Sequence, residues 1–133
     1  MVLEPSGGAT ANPRYFHLRD RARGLEISGW IEPARTYKGF DEFWDAETLA
    51  RVKGGIAPPA SWSVTKVERW EAALYDFGSS PASGNVRAEW VEDGSWIDLH
   101  ISVASAQPIE AKRAAALEVL KAIGVRKSRS IGN

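Results

Sequence analysis

Four residues able to take part in acid–base or metal chemistry stand close together late in the chain: Arg87, Glu89, Asp98 and His100. Two carboxyl groups that approach each other push one pKa upward, and a histidine beside them can act as a base or a metal ligand. These residue types therefore admit an acid–base centre or a metal site, provided that the fold brings them to one face.

The dipeptide Asp93-Gly94 predicts how these residues face one another. Asp-Gly is a strong signal of a two-residue hairpin loop, because a type I′ turn needs positive φ at both central positions. That loop sets Glu92 opposite Ser95 and collects the apolar side chains of both strands on one face. A shift of one residue would divide this apolar set between the faces, so the register is well specified. The pairs expected on the other, polar face are Val91 with Trp96, Glu89 with Asp98, Arg87 with His100, and Asn85 with Ser102.

Catalysis or metal binding by these residues competes with a simpler interpretation. Glu89 and Asp98 lie directly across a ladder, where like charges repel each other. Arg87 and His100 one step away, a basic residue of a neighbouring strand, or a bound cation must offset that repulsion. The sequence has no HExxH, no spaced histidine cluster and no nucleophile beside a base, so a solvated face of compensating charges is the simpler interpretation. An enzyme or metal protein using Glu89, Asp98 and His100 is the alternative hypothesis, and we expect no cofactor.

Aromatic residues are interleaved with charge on the same predicted face. Trp30 lies on the polar side of its strand, and Trp96 shares a side with Asp98 and His100. Such a surface suits a protein partner or a sugar ring, because aromatic anchors supply much of the binding energy of interfaces. The leading hypothesis is a non-catalytic accessory or binding domain with a protein or small ligand on this face, unless a helix covers it. The candidate binding residues are Trp30, Arg87, Glu89, Trp96, Asp98 and His100.

Composition narrows the function classes. The 133 residues include 17 basic and 17 acidic ones, for a formal net charge of +0. Nucleic acid is disfavoured as a partner, because phosphate binding needs an excess of Lys and Arg. No apolar run approaches the roughly 20 residues that span a bilayer, so we expect no membrane span. The absence of cysteine excludes disulfides, thiolate nucleophiles and zinc–thiolate sites.

Compartment and oligomeric state stay open at this level. The first residues lack the charged and then apolar layout of a signal peptide, so we expect a cytoplasmic protein unless a signal precedes them. If a signal does precede them, we expect a periplasmic or secreted protein.

Alternation of apolar and polar residues predicts strands over 15–19, 25–32, 63–77, 85–92 and 95–104. The third of these is long for one strand. Val67 and Trp70 fall on opposite faces under strict alternation, although both are apolar. A bulge near Glu68 or Arg69 would reconcile them.

Helical periodicity predicts two helices, over 40–53 and 108–123. The stripe of the first follows the three-four spacing and is widened by Leu49 and Val52; its members are Phe40, Phe43, Trp44 and Ala50 or Arg51. The stripe of the second consists of Ile109, Ala116, Leu117, Leu120 and Ile123. The sequence does not decide whether the two helices cover one face of the sheet or both.

The predicted order of elements is ββαβββα, which is typical of an α+β fold with an antiparallel sheet of about five strands. We expect a single domain over 14–125, preceded by a flexible leader over 1–13 and followed by a frayed tail over 126–133.

The order ββαβββα, with a late hairpin written NVRAEWVEDGSWIDLHIS and a closing helix, resembles the small sandwich domains of the PsbP-like class. The stretch ISGWIEPARTYKGFDEFW is similar to uncharacterised bacterial domains found after secretion signals or lipoprotein anchors. The resemblance covers most of the chain as an order of elements. It implies a non-enzymatic accessory or binding role on the extracytoplasmic side, and it carries over no site residues.

Overall fold

The computed structural model describes residues 2–3, 13–55, 61–76, 83–92 and 94–125. Its strands are β1 (Val2–Leu3), β2 (Arg14–Asp20), β3 (Leu25–Pro33), β4 (Ser61–Val67), β5 (Trp70–Asp76), β6 (Ser83–Glu92), β7 (Ser95–Ala104) and β8 (Gly124–Val125). Its helices are α1 (Phe40–Lys53), α2 (Ile109–Ala122) and a short 3-10 helix (Ala34–Thr36) before α1. Most of the predicted leader, the predicted tail and Asp93 lie outside the described residues.

Strands β2 to β7 form one antiparallel sheet in the spatial order β2-β3-β7-β6-β5-β4. The short strands β1 and β8 make a separate parallel pair. The α+β class and the antiparallel sheet are therefore confirmed. The expected number of about five strands is wrong, because the main sheet has six.

The additional strand arises where one long strand was predicted. Val67 pairs with Trp70, so Glu68 and Arg69 form a two-residue hairpin loop and not a bulge. Glu68 has a φ of 54°, in the left-handed region that side chains other than glycine and asparagine rarely adopt. The loop thus lacks the Gly, Asn or Asp that usually marks a tight hairpin, which explains why the sequence pattern did not predict a turn here. Val67 and Trp70 share one face after all, and both are buried.

The register predicted for the last hairpin is confirmed along its whole length. Glu92 lies opposite Ser95, and every further pair from there to Asn85 with Ser102 follows as expected. Gly94 has a φ of 75°, the conformation that the predicted turn requires of it. The predicted neighbours on the polar face are therefore neighbours in the structure.

Helix α2 covers the apolar face of the sheet and closes the larger core. Trp70 and Leu99 are fully buried there, packed with Ala116 and Leu120 of α2. The indole Nε1 of Trp70 donates a hydrogen bond of 3.3 Å to the carbonyl oxygen of Ile123, so the end of α2 is tied to the sheet. Burial of each large apolar side chain contributes roughly 1.5–3 kcal/mol to such a core.

Helix α1 lies on the opposite face, so each face of the sheet carries one helix. Phe40 and Trp44 form a second buried cluster with Ala73 and Tyr75 of β5. The ring of Trp44 lies 5.2 Å from that of Tyr75, centroid to centroid. These contacts hold α1 over the part of the sheet that includes β5.

The predicted bounds of α1 are confirmed, but its apolar stripe is narrower than predicted. Leu49 and Val52 are 55% and 48% exposed, so they face water and do not widen the stripe. The aromatic residues of the first turns make the buried side of the helix. Neither described helix combines the length and the apolar character that crossing a bilayer requires.

Candidate ligand-binding site

A row of side chains crosses the α1 face of the sheet from edge to edge. Its members are cross-strand neighbours, which in a sheet point to the same side. The row consists of Lys66, Glu71, Glu89, Asp98, Trp30 and Tyr15, in the order β4, β5, β6, β7, β3, β2. Three carboxyl groups are therefore consecutive, and the aromatic pair that follows them reaches β2, the last described strand on that side of the sheet.

Arg87 lies beside this row and forms a nearly buried ion pair with Asp98. Nε of Arg87 donates to Oδ1 of Asp98 at 2.7 Å, and Nη2 donates to Oδ2 at 2.8 Å. The two side chains are 15% and 9% exposed. Burial by itself would lower the pKa of Arg87, but the hydrogen bonds and charge of Asp98 outweigh it and raise the pKa above its ordinary value. This two-pronged contact fixes both side chains in one geometry.

Glu89 forms no ion pair with any of the described residues, and its carboxyl group is in a different protonation state. Its side chain is only 2% exposed, and Oε2 accepts a hydrogen bond from the indole Nε1 of Trp96. Oε1 accepts no hydrogen bond from the described residues. Burial raises the pKa of Glu89 to about 11, and the charge of neighbouring Asp98 acts in the same direction. Glu89 is therefore protonated at neutral pH, which removes the repulsion expected between the two carboxyl groups.

His100 is uncharged in the same range of pH. Burial, followed by the charge of Arg87, lowers its pKa to about 4. Its Nε2 lies 3.2 Å from Oδ1 of Asn85. Because an amide oxygen only accepts hydrogen bonds, Nε2 carries the proton and Nδ1 remains the acceptor of the ring.

Helix α1 and the segment before it cover one half of this face. The ring of Tyr37 stacks on Trp96 with 4.9 Å between centroids, and Phe43 meets Trp96 edge-on at 5.6 Å. The guanidinium of Arg87 lies 5.2 Å from the centre of the Phe43 ring. Trp96 and the Glu89 bonded to it therefore lie beneath Tyr37 and α1.

The other half of the face, over β2, β3 and β7, forms a cleft of about 140 Å³. Tyr15 and Trp30 stand beside it, 57% and 43% exposed, with their ring centroids 5.2 Å apart and the rings tilted by 52°. The residues that line the cleft are Tyr15, Ser28, Gly29, Trp30, Arg87, Asp98 and His100. We call this feature the Trp30 cleft.

Four of the six predicted binding residues line the Trp30 cleft, and two do not. Trp30, Arg87, Asp98 and His100 meet there, whereas Glu89 and Trp96 lie under the helix. The prediction omitted Ser28 and Tyr15 from the site. Period-two alternation already puts Ser28 on the side of Trp30. The pairing of β2 with β3 is needed to show that Tyr15 lies on that side as the direct neighbour of Trp30.

Metal binding finds no support in the described part of the chain, where no three His, Asp or Glu side chains are grouped so as to hold an ion. Asp98 offers both of its oxygens to Arg87. Glu89 is protonated and bonded to Trp96. Protein groups therefore already engage the oxygens of Asp98 and one oxygen of Glu89.

Comparisons with protein-family models, with curated proteins and with solved structures found no match for this chain. The chemistry of the Trp30 cleft is therefore the basis on which a function is proposed.

Proposed function

We propose that this protein is a non-catalytic binding domain and that its ligand enters the Trp30 cleft. The observation that carries this proposal is the pair of large aromatic rings, Tyr15 and Trp30, that stay 57% and 43% exposed beside nearly buried polar groups. Rings left in water forgo hydrophobic stabilisation of roughly 25 cal/mol for each Å² not buried. Aromatic residues beside a concave polar surface are the usual anchors of binding sites.

The floor of the cleft supports the same proposal because contacts within the protein already hold its polar groups in place. Arg87 and Asp98 hold each other through two short hydrogen bonds, and Phe43 packs against the guanidinium. His100 is bonded to Asn85. A preformed floor lowers the entropy that a ligand must offset when it binds.

The alternative hypothesis, an enzyme or metal protein using Glu89, Asp98 and His100, has less support. Acid–base chemistry would require these groups to exchange protons with a substrate, and Glu89 lies beneath Tyr37 and Trp96. Asp98 would also have to release Arg87. Binding at the Trp30 cleft leaves all of these contacts in place.

The test is a nuclear magnetic resonance screen of the full chain against a mixed set of small molecules. The set contains neutral sugars, amino acids, carboxylates and nucleosides. We expect at least one class to shift the amide of Ser28 and the indole of Trp30, and W30A to remove the effect. The matched control is V64A, because Val64 is 46% exposed on the same face at the opposite edge of the sheet. Shifts that avoid the cleft, or none at all, would contradict the proposal.

We also propose, from the resemblance to the PsbP-like class, an accessory role in a bacterium outside the cytoplasm. One antiparallel sheet with a helix on each face is consistent with a sandwich of that kind. Fractionation of cells that express the natural full-length gene product tests the location. Recovery from the cytoplasmic fraction alone would contradict this part of the proposal.

A further inference from the structure

We infer that the ligand of the Trp30 cleft is an uncharged sugar ring. This inference rests on the proposed function and names the class of ligand that the cleft recognises. It is carried by three properties of the lining: its charge, its hydrogen-bonding groups and its aromatic wall.

The charge of the lining is balanced internally. Arg87 and Asp98 are its charged members, and each already has the other as a close partner. His100 adds no charge, because burial keeps its pKa at about 4. A phosphate or carboxylate would compete with Asp98 for Arg87, and an ammonium ion would compete with Arg87 for Asp98. A neutral ligand meets no such competition.

The next charged group along the face is balanced as well. Glu26 lies 2.6 Å from Nε2 of His17 and 3.1 Å from Nη2 of Arg19. Hydrogen bonds from His17 and then Arg19 lower the pKa of Glu26. The carboxyl group of Glu26, on the β2–β3 side of the face, is therefore already engaged by His17 and Arg19.

The polar groups that remain suit hydroxyl groups. Nη1 of Arg87 makes no hydrogen bond to any described residue and can donate. The hydroxyl of Ser28 can donate and accept, and Nδ1 of His100 is an acceptor. A sugar hydroxyl both donates and accepts, so a mixed set of this kind satisfies it, whereas a carboxylate needs donors only.

The aromatic wall suits the other side of a sugar ring. A pyranose has a face of C–H groups, which pack on the flat surface of an aromatic ring, while its hydroxyl groups point outward. Trp30 stands directly opposite Asp98 in the sheet, so an aromatic surface adjoins the polar floor. The cleft is small, with a volume of about 140 Å³.

The experiment titrates the full chain with D-glucose, D-galactose and N-acetyl-D-glucosamine, and separately with the charged relatives D-glucuronate and D-glucosamine. Amide and indole resonances of the protein report binding. We expect saturable shifts at Ser28 and Trp30 with at least one neutral sugar, in the millimolar range. The charged relatives and the variants W30A and Y15A should each bind at least about tenfold more weakly, and V64A should bind as the wild type does.

The outcomes separate this inference from the proposed function. If only charged or planar compounds of the mixed set shift the cleft, the sugar inference fails and the binding function stands. If no compound shifts the cleft, both fail. Sugar-induced shifts that persist unchanged in W30A also overturn the inference, since Trp30 is exposed and its removal leaves the fold intact, as circular dichroism can check.

Discussion

Glu89 and Asp98 are direct neighbours across the β6–β7 ladder, yet among the described residues a cation pairs with Asp98 and none pairs with Glu89. Arg87 grips Asp98 with two nitrogens, while Glu89 is 2% exposed and bonds to the indole of Trp96. Burial therefore keeps the proton on Glu89, and two adjacent carboxyl groups coexist as one acid and one anion. This division of states makes the stability of the fold depend on pH in a defined direction.

Replacement of Glu89 by glutamine should stabilise the protein increasingly as the pH rises. Burial raises the pKa of Glu89 from its ordinary value of 4.5 to about 11. The stability that protonated Glu89 contributes is fully present below pH 4.5. It is lost as the pH rises toward the pKa of the folded state, because Glu89 ionises first in the unfolded chain. Glutamine keeps the polar contacts and does not titrate. Between pH 5 and 8, E89Q should gain up to ~1.4 kcal/mol per pH unit over the wild type.

Urea unfolding of both proteins across that range measures the difference. The matched control is E71Q, since Glu71 is the exposed neighbour of Glu89 on the adjoining strand. It shows how large an effect the loss of an exposed carboxyl group has on the same measurement. A difference between E89Q and the wild type that does not change with pH would show that Glu89 is ionised in the folded protein.

His100 should produce the opposite dependence. Burial, with the charge of Arg87, lowers its pKa from 6.5 to about 4. The stability that neutral His100 contributes is present above pH 6.5. It is lost as the pH falls toward 4, because His100 binds a proton first in the unfolded chain. Relative to H100Q, the wild type should lose up to ~1.4 kcal/mol per pH unit over that interval. Thermal unfolding of both proteins from pH 4 to 7 measures this, and parallel curves would contradict it.

The last hairpin shows how much of the fold its sequence could predict. The turn dipeptide and the alternation of apolar residues specify the same register independently, so one signal confirms the other. The loop of Glu68 and Arg69 carries no such signal, because its turn residues are not those that tight hairpins favour. Local sequence therefore predicts a register where turn chemistry and pattern agree.

The candidate site was predictable to the level of a face and no further. Period-two alternation puts Trp30, Trp96 and Asp98 on one side of the sheet, where they are found. Which of them stays open depends on where α1 crosses that side. Phe43 sets this by packing on Trp96, a contact between distant segments that no local pattern contains.

The Glu68 turn leads to a prediction of its own. The φ of 54° at this residue costs roughly 1–2 kcal/mol for a side chain other than glycine. Glycine relieves this strain. It also gives the unfolded chain more conformational freedom, which lowers the free energy of unfolding by about 0.4–1 kcal/mol. E68G should therefore stabilise the protein by about 0.5 kcal/mol, and R69G should destabilise it. A loss of stability in E68G, measured by urea unfolding, would contradict the turn geometry.

Replacement of one partner of the Arg87–Asp98 ion pair should destabilise the protein strongly. The side chains are 15% and 9% exposed, so R87M would leave a buried carboxylate without a partner and destabilise the fold by about 3 kcal/mol. The double variant R87M/D98L removes both charges and should recover most of that loss. R19M, which breaks an exposed pair with Glu26, is the control and should have a much smaller effect.

Urea unfolding of the four proteins measures these differences. A double variant no more stable than R87M would mean that the pair itself, and not the unpaired charge, supplies the stability.

Replacement by alanine should destabilise the protein far more at Trp70 than at Trp30. Trp70 is 0% exposed and bonded to the carbonyl of Ile123, so W70A leaves a cavity in the α2 core and should cost about 4 kcal/mol. Trp30 is 43% exposed, and W30A should cost less than about 1 kcal/mol. Urea unfolding measures both losses, and acrylamide should quench an emission component that disappears in W30A.

A cost for W30A close to that of W70A would contradict the geometry of the open half of the sheet. In that case Trp30 would be part of the core, and the Trp30 cleft would not be free to take a ligand. A small cost, together with loss of binding in the same variant, is the combination that a surface residue of a binding site produces. The two tryptophans thus separate the contribution of this residue type to the fold from its contribution to recognition.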